Sequence, residues 1–491
     1  MSFTPTDEQA AVQQAFQDGG HLAVQAGAGT GKTSTLAFLA TQAPARRGRY
    51  LAFNKAIATE ASARFPATVI CKTAHALAYA ALGYRFRLRL NSPRRPGWKV
   101  GQDLGLTAAV RINGHDLMPA TVSNTALRTV TRFCQSADHV LTHRHVPRLR
   151  RMDDDEMHEE LADLVLPYAA KAWADLQDPC AGMVRFEHDH YLKMWALTDP
   201  VLSGDFLLLD EAQDTNPVLE QLVHAQREHL QVVMVGDSAQ AIYGWRGARD
   251  VMTGFDARHL TLTRSFRFGP ALAAEANRWL ALTGAPIRLT GNTDVPTTIG
   301  AYRDRVGAVL CRTNIGAITE ILALQRASIP TALAGGSDAL RALARAARDL
   351  IQGRRTHHPE LVLFTTWNDL RDYAELDPAG ADLQPFVNLV DDHGPDAILR
   401  SVDRLVPETH AQITVSTAHK AKGREWHHVR IAPDFAPPAD TGEVAADGRP
   451  VPGPIDADEA RLAYVAVTRA RHHLDPAGLS WLDGHPDAPV S

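Results

Sequence analysis

The chain has 491 residues, 45% of them hydrophobic and 22% charged, enough for about three domains, with no run near the roughly 20 apolar residues that span a bilayer. A net charge of −5 excludes a surface coated in non-specific phosphate contacts, although a local basic track escapes such a count. Cys71, Cys134, Cys180 and Cys311 lie far apart without a CxxC pair, which excludes a disulfide framework or a cysteine zinc site and fits reduced thiols in a cytoplasm.

From the N-terminus, Met1-Ser2-Phe3-Thr4-Pro5 carries neither a basic nor an apolar leader, so no signal peptide is expected. Leu22-Ala23-Val24 reads as a strand, and Ser34-Thr35-Leu36-Ala37-Phe38-Leu39 as the start of a helix. Between them Ala26-Gly27-Ala28-Gly29-Thr30-Gly31-Lys32-Thr33 forms a phosphate-binding loop. Its glycines let backbone N–H groups converge on nucleotide phosphates at the helix N-terminus. Lys32 would reach the β/γ-phosphates of ATP, and the Thr33 hydroxyl would take one position on Mg²⁺. Ala26 stands where the generic pattern opens with glycine.

Roughly 120 residues then separate His75 from the strand at Leu207, too many for a loop, so an inserted and mostly helical domain is expected. It opens with Tyr84-Arg85-Phe86-Arg87-Leu88-Arg89-Leu90, whose alternation reads as a strand with Arg85, Arg87 and Arg89 on one face. Pro93-Arg94-Arg95-Pro96-Gly97-Trp98-Lys99 follows. Contact with nucleic-acid phosphates and a merely solvated basic edge both fit that face. A second patch, His143-Arg144-His145 with Arg148, Arg150 and Arg151, runs into Asp153-Asp154-Asp155-Glu156, where internal pairing is expected.

Phe206-Leu207-Leu208-Leu209 suits a strand buried on both faces, and it delivers Asp210 and Glu211 at the edge where open α/β sheets bind ligands. Asp210 is placed to hold Mg²⁺ through water, and Glu211 to polarise the attacking water. Val232-Val233-Met234-Val235 repeats the pattern and ends in Gly236-Asp237, the repeating unit of a doubly wound sheet. Gln240, neutral and bidentate, suits sensing of a γ-phosphate; Tyr243, Trp245 and Arg246 offer flat faces on which nucleobases stack.

In the second half, Val309-Leu310-Cys311, Ile413-Thr414-Val415-Ser416 and Val429-Arg430-Ile431-Ala432 read as strands. An alanine- and leucine-rich insertion between about Gly335 and Thr409 looks helical, as in Ala339-Leu340-Arg341-Ala342-Leu343-Ala344-Arg345. Asp434 to Pro454, rich in Pro, Gly, Ala and Asp without periodicity, reads as a mobile surface loop before a helix around Ala460. This half holds no second phosphate loop, so its sheet would supply only the far wall of a nucleotide site. After Arg471 the prolines at 476, 486 and 489 follow quickly, and no appended nuclease or protein-binding domain is expected. The histidine pairs at 357–358, 427–428 and 472–473 lack metalloprotease spacing and are expected at the surface.

These motifs, in this order, resemble the UvrD/Rep-like superfamily 1A DNA helicases over nearly the whole chain. Leu51-Ala52-Phe53-Asn54-Lys55-Ala56-Ile57-Ala58, Cys71-Lys72-Thr73-Ala74-His75-Ala76-Leu77-Ala78-Tyr79 and Ser265-Phe266-Arg267-Phe268-Gly269 resemble the F-box DNA helicase branch. No F-box is expected ahead of the motor, because the helicase pattern starts at once. The resemblance implies an α/β P-loop NTPase with two RecA-like, doubly wound parallel-sheet motor domains and helical insertions. Motor domain 1A would take 1–84 and 200–258, insertion 1B 85–199, motor domain 2A 259–335 and 409–491, and a reduced 2B insertion 336–408.

The resemblance also implies roles. Gln9 would read adenine, its amide offering both a donor and an acceptor. Phe53, Asn54, Thr73 and His75 would contact the strand in the first motor domain. Arg267 and Arg469 would approach the γ-phosphate from across the cleft, where planar permanent charge meets the negative charge of the transition state. Tyr464 would line the nucleotide site, and Thr417, His419, Gly423 and Glu425 would link it to the strand. Arg424 departs from the leucine most relatives carry, and surface ion pairing suits both it and Arg471.

The expected function is an ATP- and Mg²⁺-dependent DNA helicase or single-strand translocase, with 3′-to-5′ polarity from the family resemblance. It would act as a monomer on single-stranded DNA or a single-to-double-strand junction, in repair, recombination or replication, in the cytoplasm and away from membranes. ATP would close the gap between the motor domains and hydrolysis would open it, turning closure into stepping. Two other readings share the chemistry: a translocase that strips proteins but unwinds poorly, and an ATPase motor or switch subunit whose protein partner is a repair, defence or nuclease complex. Intact Lys32, Glu211, Arg267 and Arg469 favour an active motor over a dead scaffold.

Overall fold

A computed structural model of the chain describes residues 4–90, 92, 95, 97–112, 114–149, 152, 154–244, 250–301, 307–376, 383–444 and 448–489. It divides into two compact units, the first made of Met1–Val24, Lys32–Gly236 and Tyr243–Leu260, the second of Gln25–Gly31, Asp237–Ile242 and Thr261–Ser491. Among the described residues no helix is long and apolar enough to cross a membrane.

The first sheet uses β1 (Leu22–Ala26), β2 (Gly48–Leu51), β3 (Val69–Lys72), β6 (Phe206–Asp210), β7 (Gln231–Gly236) and β8 (Arg258–Leu262), while β4 (Val110–Ile112) and β5 (His115–Leu117) form a separate antiparallel hairpin. Its six strands lie in the order β3-β2-β6-β7-β1-β8, with β3–β2, β2–β6 and β6–β7 parallel. Every residue of β6 and β7 is buried, which is why these strands read as continuous apolar runs rather than as alternation. Their carboxyl ends carry Asp210 and Asp237 to one edge of the sheet. Helix Asp7–Gln17 packs over this sheet through Phe16, edge-on to Phe206 at 5.3 Å, and starts with a capping box between Thr6 and Gln9.

The first insertion is largely helical, with helices Gly97–Asp103, Pro119–Gln135, Asp155–Gln177 and His188–Ala196. Its opening is not the expected strand. Gly83–Phe86 is a turn of 3₁₀-helix, and the buried positions are Gly83, Phe86 and Arg89. That spacing is the three-residue period of a 3₁₀ turn, so the two-residue alternation of the sequence does not mark the buried face. Leu88, which that alternation puts on the face opposite the arginines, is 81% exposed. Phe86 stacks on Phe186 with 4.5 Å between centroids.

Arg89 leaves the expected basic face altogether. It pairs with Asp175 at 3.1 Å and donates to the carbonyls of Asp175 (2.8 Å), Val184 (2.7 Å) and Asp178. Asp175 in turn accepts from the Met183 and Val184 amides, both at 2.8 Å, so one ion pair fixes the end of a long helix and the loop after it. The second basic patch does pair internally, but among the described residues only Arg148 meets the acidic run that follows it, at Asp155; Arg144 and His145 pair with Asp138, and His143 with Asp163. Arg150, Arg151 and Asp153 lie outside the described residues, as do Pro93, Arg94 and Pro96.

The second unit holds β9 (Thr298–Ile299), β10 (Ala308–Cys311), β11 (Thr331–Leu333), β12 (Ile413–Thr417), β13 (Trp426–Ile431) and β16 (Ala470–Asp475) in a parallel sheet ordered β11-β12-β10-β13-β16-β9. Val309 faces Val415 across β10 and β12. The helices Asp338–Ile351, Trp367–Leu376, Gln384–His393 and Pro395–Asp403 of the second insertion share one apolar core with that sheet, from Val309, Cys311 and Val415 through Leu350 and Phe364 to Phe386.

The stretch read as a loop after Asp434 contains an antiparallel hairpin, β14 (Asp440–Val444) with β15 (Pro450–Pro452). All of β14 is exposed, so no buried face left a periodic signal to read.

Removing one member of a buried ion pair strands the other, at a cost of about 3 kcal/mol or more. Arg89→Leu should lower the unfolding free energy of the insertion by that order in a denaturant titration. A loss below about 1 kcal/mol, the scale of a surface pair, would mean that Arg89 is not a structural centre.

Candidate active site

The phosphate loop joins β1 to the helix Lys32–Thr41, which begins two residues earlier than its apolar run suggests. Gly29 and Gly31 adopt left-handed φ of +76° and +80°, open to glycine at little cost. Space also excludes a side chain at 29: a Cβ there would lie 2.5 Å from Ser265 Oγ and 2.7 Å from Arg267 Cβ. Thr30 is buried and donates its hydroxyl to the Gly27 carbonyl at 2.9 Å, holding the curl of the loop.

In the first unit Asp210 is the meeting point. Its Oδ2 accepts from the Thr33 hydroxyl at 2.6 Å and from the Tyr50 phenol at 2.7 Å, and its Oδ1 from the Glu211 amide at 2.9 Å. Burial, with Glu211 adjacent, pushes the Asp210 carboxyl above its ordinary range, and burial beside Asp210 pushes the Tyr50 phenol upward. Glu211 itself sits in the left-handed region at φ +54°, rare for a residue with a side chain. Its Oε2 accepts from Gln213 Nε2 at 2.6 Å, and its Oε1 lies 4.0 Å from Lys32 Nζ.

A hydroxyl and a carboxylate oxygen suit a hard cation that keeps most of its water and shares the nucleotide phosphates. Thr33 and Asp210 would therefore hold Mg²⁺, with Tyr50 orienting the carboxylate from behind. Gln9 is buried with its amide engaged, Oε1 accepting from the Thr6 amide (3.0 Å) and Nε2 donating to Thr35 (2.9 Å).

The second unit contains a polar chain. The Ala28 amide donates to the Tyr464 phenol (3.0 Å), which donates to Asp237 Oδ2 (3.0 Å); Gln240 Nε2 donates to the same oxygen at 2.6 Å. Gln240 Oε1 accepts from Arg469 Nη2 at 3.2 Å, and Arg469 also donates to the Val465 and Arg424 carbonyls and to Thr468 Oγ1. Tyr464, Asp237 and Arg469 are all buried. Arg267 donates to Glu425 (2.7 Å) and to the Thr468 carbonyl (2.9 Å), while the Phe266 amide donates to Gly29 O at 2.8 Å. Arg471 pairs with Glu425 at 3.1 Å and Arg424 with Glu408 at 2.7 Å.

Among the strand candidates, Phe53 is 52% exposed and stacks parallel to Tyr243 at 6.4 Å. Asn54 and Thr73 are helix N-caps, accepting from the Ile57 and Ala76 amides. His75 pairs with Asp189 at 2.8 Å and holds that carboxyl below its usual range. Thr417 caps the short helix Ala418–Ala421, which carries His419. Trp245 and Arg246 lie outside the described residues. A cavity of about 110 Å³ is lined by Phe53, Thr73 and His75 together with Asp210, Glu211 and Asp214.

Tyr50, Gln213, Asp237 and Asp189 were not singled out by sequence reasoning. Gln213 and Asp237 stand inside the acidic motifs, but Tyr50 looks like any apolar strand residue until its hydroxyl is placed.

A family model described as an AAA domain matches residues 8–246, and one described as a UvrD-like helicase C-terminal domain matches 337–475. The chain belongs to the UvrD-like superfamily 1 helicases. It is similar to F-box DNA helicase protein 1 of Schizosaccharomyces pombe, at 30% identity over 96% of this chain and 57% of that relative. F-box DNA helicase 1 of Gallus gallus is 27% identical over 95% of this chain and 48% of its own length. The ATP-dependent DNA helicase UvrD2 of Mycobacterium tuberculosis is 27% identical over 56% of this chain and 47% of its own. The chain thus spans about half the length of the curated relatives it matches.

Tyr50→Phe keeps the ring but leaves Asp210 with one hydroxyl fewer. Loss of such an outer partner typically weakens a metal site about 10- to 100-fold. The Mg²⁺ concentration needed for half-maximal ATP binding should rise on that scale in a fluorescent-nucleotide titration, whereas an unchanged requirement would detach Tyr50 from the metal.

Proposed function

We propose that this chain is an ATP- and Mg²⁺-dependent motor that moves along single-stranded DNA and unwinds duplex DNA with 3′-to-5′ polarity. The observation that carries the reading is the cavity whose lining includes Asp210, Glu211, Phe53 and His75. If the two acids serve hydrolysis and Phe53 and His75 the strand, occupation of this cavity by one ligand would bear on the other. The relatives' names, DNA helicases in each case, support DNA as the substrate.

Lys32 would neutralise the β/γ-phosphates, with Gly27 to Gly31 donating amides around them. Bound Mg²⁺ would supply charge neutralisation at the phosphate oxygens. Glu211, fixed by Gln213, would orient the attacking water, while Gln240 would report the γ-phosphate through its bonds to Asp237 and Arg469. Arg267 and Arg469 would meet the charge that builds on the transferring group. Phe53, Tyr243 and His75 in the first unit and Thr417 and His419 in the second would grip the strand by turns. Repair, recombination or replication of DNA would use such a motor, acting as a monomer.

ATP hydrolysis by the purified chain should rise on adding single-stranded DNA, and duplexes with a 3′ tail should open while 5′-tailed ones stay closed. Absence of both effects would remove the proposal. Glu211→Gln preserves shape but removes the charge that orients water. The variant should bind ATP with near wild-type affinity and turn it over very slowly in a phosphate-release assay. Collapse of ATP affinity would instead make Glu211 a metal ligand.

Arg469→Ala should lower strand-stimulated hydrolysis by roughly 10³-fold, the lower range for an arginine finger, with a modest change in ATP binding. Because Arg469 is buried among carbonyls, thermal unfolding of the variant separates lost chemistry from lost fold. A folded variant within about tenfold of wild type would put Arg469 outside the chemistry.

A further inference from the structure

Between Glu60 and Asp103 the chain runs for 42 residues without an acid while carrying eight Lys or Arg, although the whole chain holds 56 acids and a net charge of −5. Some of these cations are consumed internally: Arg64 by Glu60, Arg95 by Asp103, Arg89 by Asp175. Among the described residues Lys72, Arg85 and Arg87 are exposed and make no ion pair.

Aromatic faces accompany them. His75 and Tyr79 lie four residues apart on one face of the helix Ala74–Ala81, about 6 Å along its axis. Tyr191 stands behind both, 6.3 Å from the imidazole and 5.8 Å from the Tyr79 ring. The backbone then closes onto these rings at Gly83, where a Cβ would fall 2.9 Å from Tyr191 and 3.0 Å from Tyr79. Tyr84 follows directly in the chain, with the Arg85 guanidinium 6.0 Å from its ring centroid. Tyr79 is 36% exposed and Tyr84 45%. Asp189 lies at this face, hydrogen-bonded to His75 at 2.8 Å.

We propose that His75, Tyr79, Tyr84, Arg85 and Arg87 form a stacking track for single-stranded DNA, carrying the strand from the first sheet onto the first insertion. The inference rests on the DNA motor proposed above. Ring faces open to solvent take unpaired bases, which a duplex keeps stacked within itself, and two unpaired guanidiniums beside them take backbone phosphates. The 3₁₀ turn serves this arrangement: its three-residue period buries Phe86 and Arg89 and leaves Tyr84, Arg85 and Arg87 outside.

The test uses the full chain and oligothymidylates of stepwise increasing length, read by fluorescence anisotropy across a salt series. Wild-type affinity should rise with length to a plateau. Tyr84→Ala should plateau at a shorter length and bind long strands at least about 5-fold more weakly, and Tyr84→Phe should restore both. Arg85→Ala with Arg87→Ala should reduce the log–log salt slope by about 1.4, two single-strand phosphate contacts. Equal thermal midpoints would show that these variants are folded. A wild-type plateau and slope in both variants would overturn the track while leaving the motor intact. Wild-type protein that bound no single strand would overturn the motor as well. Equal competition by polyglutamate would overturn the stacking and leave only a basic patch.

Discussion

The Asp210 carboxylate lies at the end of a fully buried strand, where an unsolvated charge costs several kcal/mol unless donors surround it. Donors reach it from three parts of the chain: Thr33 on the helix after the phosphate loop, Tyr50 on the neighbouring strand, and the amide of Glu211. The positions of the phosphate loop and of the two acids are therefore linked through a single oxygen pair. The same turn forces Glu211 into a left-handed backbone, a local strain of about 1–3 kcal/mol that persists only where neighbouring contacts determine it. Gln213 supplies one of those contacts. Preorganisation here resides in hydrogen bonds among the site's own residues.

The second unit solves a related problem differently. Tyr464, Asp237, Gln240 and Arg469 are withdrawn from water and satisfy one another along a chain of bonds that starts at the Ala28 amide. In a low-dielectric interior each member raises the penalty for disturbing the next. The bonds thus join Ala28 to Arg469 through Tyr464, Asp237 and Gln240.

Much of this was legible in the sequence, because the features that announced themselves are set by local chemistry. Continuous apolar runs marked β6 and β7, and the glycines of the loop and the acids at the strand ends marked the nucleotide site. What escaped depended on partners distant in sequence. Tyr50 reads as a strand hydrophobe until Asp210 is brought 160 positions nearer. Arg89 reads as one of three alternating arginines until a 3₁₀ turn rotates it onto Asp175. The hairpin after Asp434 left no trace because neither strand face is buried, and burial is what imprints a period on a sequence. Asn54 and Thr73, candidates for the strand, cap helices, and that role alone accounts for their residue type.

The helices between 338 and 403 share their apolar core with the second sheet, Phe364, Trp367 and Phe386 lying in one cluster with Val309, Cys311 and Val415. A segment inserted late in the chain has thus become part of the floor on which the strands rest. It would melt with the sheet in one transition and exchange its amides on the same slow timescale. Excising it would leave a broad oily scar on the sheet, not a trimmed loop. In engineering terms this insertion is a foundation, and any attempt to shorten the chain has to begin elsewhere.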